Sequence, residues 1–178
     1  PFGVRCYVQE QQLGTANAVR SAEVESIEGP TLILNGDHPL IEASDLKNFL
    51  QTFREEKIDL AVVTAKLKNP KDFGRIVRHH GALKAIVEAK DASADTLKIN
   101  EVNTGIYLCD ADLLKEILPT IKNNNVKGEY YLTDLISISI EQQYKVAPIL
   151  SSAKVALGVN TQQELSFATR MVFKRKAV

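Results

Sequence analysis

The stretch TLILNGDHPLI, residues 31–41, runs apolar from Thr31 to Leu34, breaks at Asn35-Gly36-Asp37-His38-Pro39 and then turns apolar again. Thr-Leu-Ile-Leu reads as a buried strand of an α/β sheet, and Gly-Asp directly after a strand is where such sheets place ligand-binding groups. The carboxylate has two readings: Asp37 caps a turn before Pro39, or it faces a ligand at the carboxyl end of the strand. The neighbouring segments discriminate between them.

On both sides of this stretch, helix and strand signals alternate. Val4 to Val8 reads as a strand, and Thr15 as the cap of a short helix with Ala18, Val19 and Ala22 on one face. Ser44 precedes Leu46, Phe49, Leu50 and Phe53, the spacing of an amphipathic helix with an N-cap. LAVVTAKL (60–67) is β-branched and apolar, a second buried strand. RIVRHHGALKAIVEAKD shows two apolar segments around His80-Gly81, a hairpin pattern. INEVNTGIYLCD gives a further strand, after which Asp110 or Asp112 caps a helix carrying Leu113, Leu114, Ile117 and Leu118. A fourth helix carries Leu132, Leu135, Ile136 and Ile140, and short strands are expected at 146–149 and 155–157. Thr161 and Glu164 form a capping box for a final helix. This order predicts an α/β fold with a doubly wound, mostly parallel sheet, helices on both faces and an antiparallel insertion.

Composition narrows the function. The 178 residues suffice for one domain with its own core, and 44% hydrophobic with 25% charged residues is an ordinary globular balance. Lys+Arg and Asp+Glu both number 22, so no net positive field draws the chain to nucleic acid or anionic lipid. The KRK patch at 174–176 reads as a solvated helix face. Cys6 and Cys109 have no metal-ligand spacing and suit a reducing compartment as small core residues. No apolar run approaches the roughly 18 residues of a membrane span, and there is no secretory leader, so a cytoplasmic setting is expected. The chain opens without an initiator Met and reads like the middle of a domain.

Polar residues follow several apolar strands at comparable positions: Gln9 to Thr15, Asn35-Gly36-Asp37, Asn103-Thr104-Gly105 and Gly158-Val159-Asn160. In a parallel sheet these sets converge on one crevice, which favours the ligand reading of Asp37. His79-His80 reads as a solvated turn, since adjacent residues on a strand point to opposite faces. His38 reads as a loop residue. Of Tyr130 and Tyr131, one is expected in the core and the other beside a ligand.

The segments QEQQLGTANAV, LILNGDHPLI, FGRIVR, AIVEAKDA, INEVNTGIY, NNNVKGEYYLTDLI and ALGVNT, in this order and at these separations, resemble the uridyltransferase domain of the bacterial N-acetylglucosamine-1-phosphate uridyltransferase family. The resemblance implies a Rossmann-like nucleotidyltransferase fold. It also implies a nucleotidyl transfer that joins N-acetylglucosamine 1-phosphate to UTP, giving pyrophosphate and UDP-N-acetylglucosamine, a precursor of cell wall and lipopolysaccharide. By the family's pattern Gln9, Gly14 and Thr15 hold the uracil, and Asn35, Gly36 and Asp37 lie along the ribose and phosphates. Asp37 and Asn160 ligate Mg²⁺. Gly74, Glu88 and Asn103 contact the amino sugar, with Tyr131 and Thr133 nearby.

Two departures accompany the resemblance. The family's glycine-rich nucleotide signature would precede Pro1, so a domain incomplete at its N-terminus is expected over residues 1–160, with 161–178 as its last helix or a linker. Ala16-Asn17 stands where the family usually has Gly-His. The family's hexapeptide-repeat β-helix has no counterpart in these residues, so no acetyl transfer is expected of them, and a homo-oligomer is expected only of the full-length protein. A silent nucleotide-sugar binding module, or a relative using another sugar or base, would carry many of the same residues.

Overall fold

Alternate residues of the apolar run at 60–66 face opposite ways, and the molecule covers both sides. Leu60 and Val62 pack into one core with Tyr107, Leu114, Ile117, Leu135 and Ile136, while Ala61 and Val63 pack into another with Phe49, Phe53, Ile106 and Leu108. A strand buried on both faces needs no polar alternation, which explains its absence here. Each fully buried aliphatic side chain contributes about 1.5–3 kcal/mol relative to exposure, so this strand ties the two layers together.

The computed structural model describes residues 3–176. Its strands are β1 (Pro30–Ile33), β2 (Leu60–Lys66), β3 (Arg75–His79), β4 (Ala82–Val87), β5 (Glu101–Asp110) and β6 (Val146–Ser151). Its helices are α1 (Thr15–Arg20), α2 (Ala43–Glu55), α3 (Ala94–Leu97), α4 (Ala111–Ile117), α5 (Asp134–Glu141) and α6 (Gln162–Lys176). The strands form one sheet in the order β4-β3-β5-β2-β6, with β1 also paired to β5. β5 runs antiparallel to β1, β2 and β3, and β2 runs parallel to β6. Thus β1, β2, β3 and β6 point the same way, and β5 is a reversed strand set among them. The expected α/β class and common strand direction are present, but among the described residues the β2–β6 ladder alone is parallel, because β5 separates the other like-directed strands. Helices α1, α4 and α5 cover one face and α2 the other. The β3–β4 hairpin turns through His80 and Gly81, whose φ values of 49° and 84° suit a two-residue type I′ loop. His79 and His80 are both exposed there.

Packing changes several local features expected from the sequence. Residues 4–8 form no strand: Val4 and Val8 are about three-quarters exposed, and the segment has no ladder partner among the described residues. β1 is not buried either, since β5 is its one ladder partner and Leu32 and Leu34 remain exposed. Gly14, not Thr15, precedes the first turn of α1, and Ala16 rather than Ala18 is its buried residue. The Thr15 hydroxyl instead accepts the Leu132 N–H at 2.9 Å. α2 begins after Glu42, whose N–H donates to the Asp45 carboxylate at 3.0 Å, and Ser44 lies inside the helix. Residues 155–157 bond locally as a 3₁₀ turn, with the Val155 N–H donating to Ser152 O, rather than entering a ladder. Cys6 is exposed; Cys109 is buried, which pushes its thiol up to about 12. Asp110 caps α4, and the Thr161–Glu164 capping box forms as expected. Lys174 is exposed on α6, and the side chains of the other two residues of the KRK patch lie outside the described residues.

The β2–β5 ladder carries an irregularity that matters later. Val62 pairs with Tyr107 and Thr64 with Asn103, so residues 104–106 stand opposite Val63 alone. Gly105 takes the left-handed φ of 78° that this bulge needs. The Val63 carbonyl, facing the irregularity, accepts the Thr104 hydroxyl at 2.8 Å. Beside it, Glu101 accepts from Thr64 Oγ1 at 2.8 Å and from Arg78 Nη2 at 2.8 Å. Burial alone would raise the Glu101 carboxyl, but Arg78 and Thr64 outweigh it and hold it below the usual carboxylate range.

Replacing Thr104 by Val removes that donor and leaves a buried carbonyl unmatched, at a cost of about 1–3 kcal/mol. Urea denaturation should show this loss for Thr104→Val and a smaller one for Thr104→Ser, which keeps the hydroxyl. Because the folded Glu101 value is depressed, its contribution is present above the ordinary carboxylate pKa of about 4.3 and is lost as pH falls through the folded value. The stability gap between wild type and Glu101→Gln, measured by denaturant midpoints, should therefore shrink as pH falls from about 6 to about 3.

Candidate active site

The bulge in β5 aims Asn103. Its Oδ1 accepts the Gly105 N–H at 2.9 Å, its Nδ2 donates to the Tyr107 hydroxyl at 2.8 Å, and its own N–H donates to Gly74 O at 2.9 Å. Gly74 is hemmed in, since a Cβ there would lie 3.0 Å from Ile86 Cγ2 and 3.5 Å from Glu88 Oε1. Burial raises the Glu88 carboxyl above its ordinary value, opposed by the Thr133 hydroxyl and Lys127. Thr133 Oγ1 is buried yet closes no hydrogen bond of normal geometry among the described residues. It thus faces Glu88 with capacity to spare. Tyr131 lies in the same field, its phenol pushed up to about 12 by burial and then by Asp91, Glu129 and Glu88. Gly74, Glu88, Asn103, Tyr131 and Thr133 therefore form one polar cluster where the reversed strand begins.

A second cluster forms at the carboxyl ends of β1 and β6. The Asn35 side chain occupies the hollow beside Gly105, and Gly36 stands in open space, a Cβ there meeting nothing within 4 Å. The Asp37 carbonyl accepts the Val159 N–H at 2.9 Å, and a Cβ on Gly158 would lie 3.0 Å from Asp37 Oδ2. Next to it, the N–H groups of Asn160 and Thr161 donate to Glu164 Oε2 at 2.8 and 2.9 Å. The Asn160 N–H is the largest influence holding the Glu164 carboxyl below its ordinary value. Asp37 and Asn160 line one groove of about 470 Å³ with Lys68, Lys71 and Glu164. Asp37 lies in the turn after β1, and its side chain is 40% exposed and borders that groove. His38 is a loop residue as read, but its ring is buried, 6% exposed, and packs against Asp37 and Gly158.

The third set lies at α1. Gln9 Nε2 donates to Gly14 O at 3.2 Å and Asn17 Oδ1 at 2.7 Å, so Asn17 holds the Gln9 amide in place. Gly14 has φ 109°, and a Cβ would fall 2.6 Å from Tyr130 O. That close approach seats α1 on residues 130–132, with the Ala16 N–H donating to Tyr130 O. Tyr130 packs against the core under the Arg20 guanidinium, 4.8 Å from its ring centroid. Gln9, Gly14 and Thr15 line a groove of about 250 Å³ with Gln12, Ala18 and Glu129.

Among the described residues, no group of three or more His, Cys, Asp or Glu is arranged to hold a metal. Asp37 and Asn160 instead offer a carboxylate and an amide oxygen, a sparse hard-oxygen pair that suits Mg²⁺ completed by waters and ligand oxygens. The sequence pattern marked Gly105 but not Tyr107, which together with it orients Asn103, nor Asp91, which acts on Tyr131. A glycine inside a strand pattern was the one available signal for the bulge.

Gly105→Ala should cost about 1–3 kcal/mol, because alanine at that φ is strained and its Cβ collides with Asn35. Gly36→Ala, in open space, should change stability by less than about 0.5 kcal/mol. Thermal denaturation of the two variants against wild type checks the contrast.

The model of the nucleotidyl transferase family matches residues 2–154. The bifunctional protein GlmU of Bdellovibrio bacteriovorus is 65% identical over 178 residues, taking in 100% of this chain and 39% of that protein. Its counterpart in Streptococcus uberis is 42% identical over 172 residues, 94% of this chain and 38% of that one. The chain thus spans about two fifths of the length of these relatives. A Bacillus anthracis protein assigned as a glucose-1-phosphate thymidylyltransferase, solved in complex with a sucrose, superposes with a TM-score of 0.67 at 20% identity, over 91% of this chain and 62% of that one. At that identity the likeness is one of fold, and it agrees with a Rossmann-like nucleotidyltransferase architecture. With the family match extending over most of the sequence and the strand-end grooves in place, the chain belongs to the nucleotidyl transferase family.

Proposed function

We propose that this chain is the uridyltransferase part of a longer enzyme that joins UTP and N-acetylglucosamine 1-phosphate, forming UDP-N-acetylglucosamine and releasing pyrophosphate. The observation that carries this reading is the meeting of Asp37, from the loop after β1, and Asn160, from the loop before α6, at a single groove. The cluster of Gly74, Glu88, Asn103 and Thr133 supports the amino-sugar assignment. In this reading residues 1–160 belong to the catalytic domain and 161–178 continue it, with α6 (Gln162–Lys176) as its last described helix. The setting is the cytoplasm, where Cys6 and Cys109 remain thiols; among the described residues, no helix is long and apolar enough to cross a membrane.

A phosphate oxygen of the sugar phosphate attacks the α-phosphorus of UTP, the bond to the β-phosphate oxygen breaks, and pyrophosphate leaves with the electron pair. No protein nucleophile is needed, so the residues act by alignment and charge. Asp37 and Asn160 would hold Mg²⁺, which when bound supplies neutralisation of phosphate charge. Asn103, fixed at three points, presents an amide edge to the sugar, and Glu88 accepts from its hydroxyl groups. Thr133, with hydrogen-bonding capacity unused, serves the acetamido arm together with Tyr131. Gln9, steadied by Asn17, reads the uracil edge beside Gly14 and Thr15.

In the full-length protein, Asp37→Ala and Asn160→Ala should each lower pyrophosphate release at least about a hundredfold with an unchanged circular dichroism spectrum. Wild-type turnover in Asp37→Ala would overturn the assignment. With N-acetylglucosamine 1-phosphate and glucose 1-phosphate competing in one reaction, the ratio of UDP-sugars should favour the amino sugar by roughly tenfold to a hundredfold, since polar groups built for the acetamido arm are otherwise unpaired. Equal use of both sugars would leave only the nucleotidyl-transfer class standing.

A further inference from the structure

We infer that His38 is a positioning residue that holds the Asp37 carboxylate in its ligating orientation through Nε2–H. The inference rests on the assignment of Asp37 to the metal in the preceding section.

The ring is 94% buried although it follows the polar Gly36-Asp37 turn, and a Cβ on Gly158 would touch it at 3.3 Å, at both Cδ2 and Nε2. Its Nε2 lies 3.6 Å from Asp37 Oδ1. That separation exceeds hydrogen-bond reach. The carboxylate, however, is the exposed partner at 40% accessibility, while the imidazole is buried beside Gly158. A modest rotation of Asp37 closes the gap, as polar contacts in an unliganded site commonly tighten when ligand arrives. Nδ1 is buried with no partner among the described residues. That fixes the preferred tautomer: a proton on Nδ1 would bury an unmatched N–H, whereas a proton on Nε2 puts the donor toward a carboxylate and leaves only a lone pair unmatched. The same ring fills the space beside Gly158, so it also sets how closely the Asn160 loop approaches Asp37.

The arrangement separates this role from simple packing. Glutamine reaches the place of Nε2 with an amide N–H, whereas phenylalanine fills the ring's volume with no donor. Mn²⁺ binding, followed by its electron paramagnetic resonance signal in the full-length protein without nucleotide, is the direct readout. His38→Phe should weaken Mn²⁺ binding about tenfold, raise the metal concentration for half-maximal turnover equally, and leave kcat at saturating metal within about threefold; His38→Gln should restore affinity to within about threefold. Equal affinity in His38→Phe and wild type would overturn the inference, and so would equal impairment of the Phe and Gln variants, which marks a packing role. Asp37→Ala in the same titration keeps the two readings apart: retained Mn²⁺ affinity there removes the metal assignment itself, whereas lost affinity in Asp37→Ala with an unaffected His38→Phe removes only the role of His38.

Discussion

The left-handed conformation at Gly105 is the constraint on which the site depends. A reversed strand must pass between like-directed neighbours and still orient Asn103 toward Gly74 and Tyr107, and the bulge accomplishes both. The same glycine admits the Asn35 side chain into the space a Cβ would fill. The loop after β1 and the start of β5 are therefore fitted to one another through a single residue. Thr104 closes the carbonyl that the bulge exposes, so the irregularity is satisfied rather than merely tolerated.

The environments at the two ends of the site differ in electrostatic character. Near Thr133, burial and neighbouring carboxylates hold the carboxyl groups of Glu88 and Asp134 above the usual carboxylate range, making them weaker acids. Such groups suit hydrogen bonding to neutral hydroxyls and amides. Near Asp37, backbone donors hold Glu164 below its ordinary value, keeping negative charge beside Asn160, while Lys68 and Lys71 line the same groove. The proposed function makes use of this difference, a sugar at one end and phosphate charge at the other.

Much of the fold was legible from local pattern. The apolar run at 60–66, the hairpin at His80-Gly81 and the Thr161–Glu164 box are specified within a few residues, by burial on both faces, by turn chemistry and by reciprocal capping. The place of Asp37 after β1 was legible for the same reason, a polar break after an apolar run, whereas Asn160 follows a 3₁₀ turn and not the strand expected at 155–157. Segments whose state depends on neighbours were not legible. Val4 to Val8 alternates like a strand but has no ladder partner among the described residues, and residues 155–157 bond within their own turn.

By itself, then, the sequence determined the α/β class, the resemblance to the uridyltransferases and the residue types at each strand end, because those rest on local periodicity and on motifs in register. Tertiary structure decided how the types are used. The Thr15 hydroxyl accepts the Leu132 N–H rather than capping α1, and Gly14 is required by the approach of Tyr130. His38, polar and beside a turn, is buried against Asp37 because Gly158, distant in sequence, leaves room for its ring. Contacts of that kind depend on which segments pack together, and no periodicity within either segment encodes them.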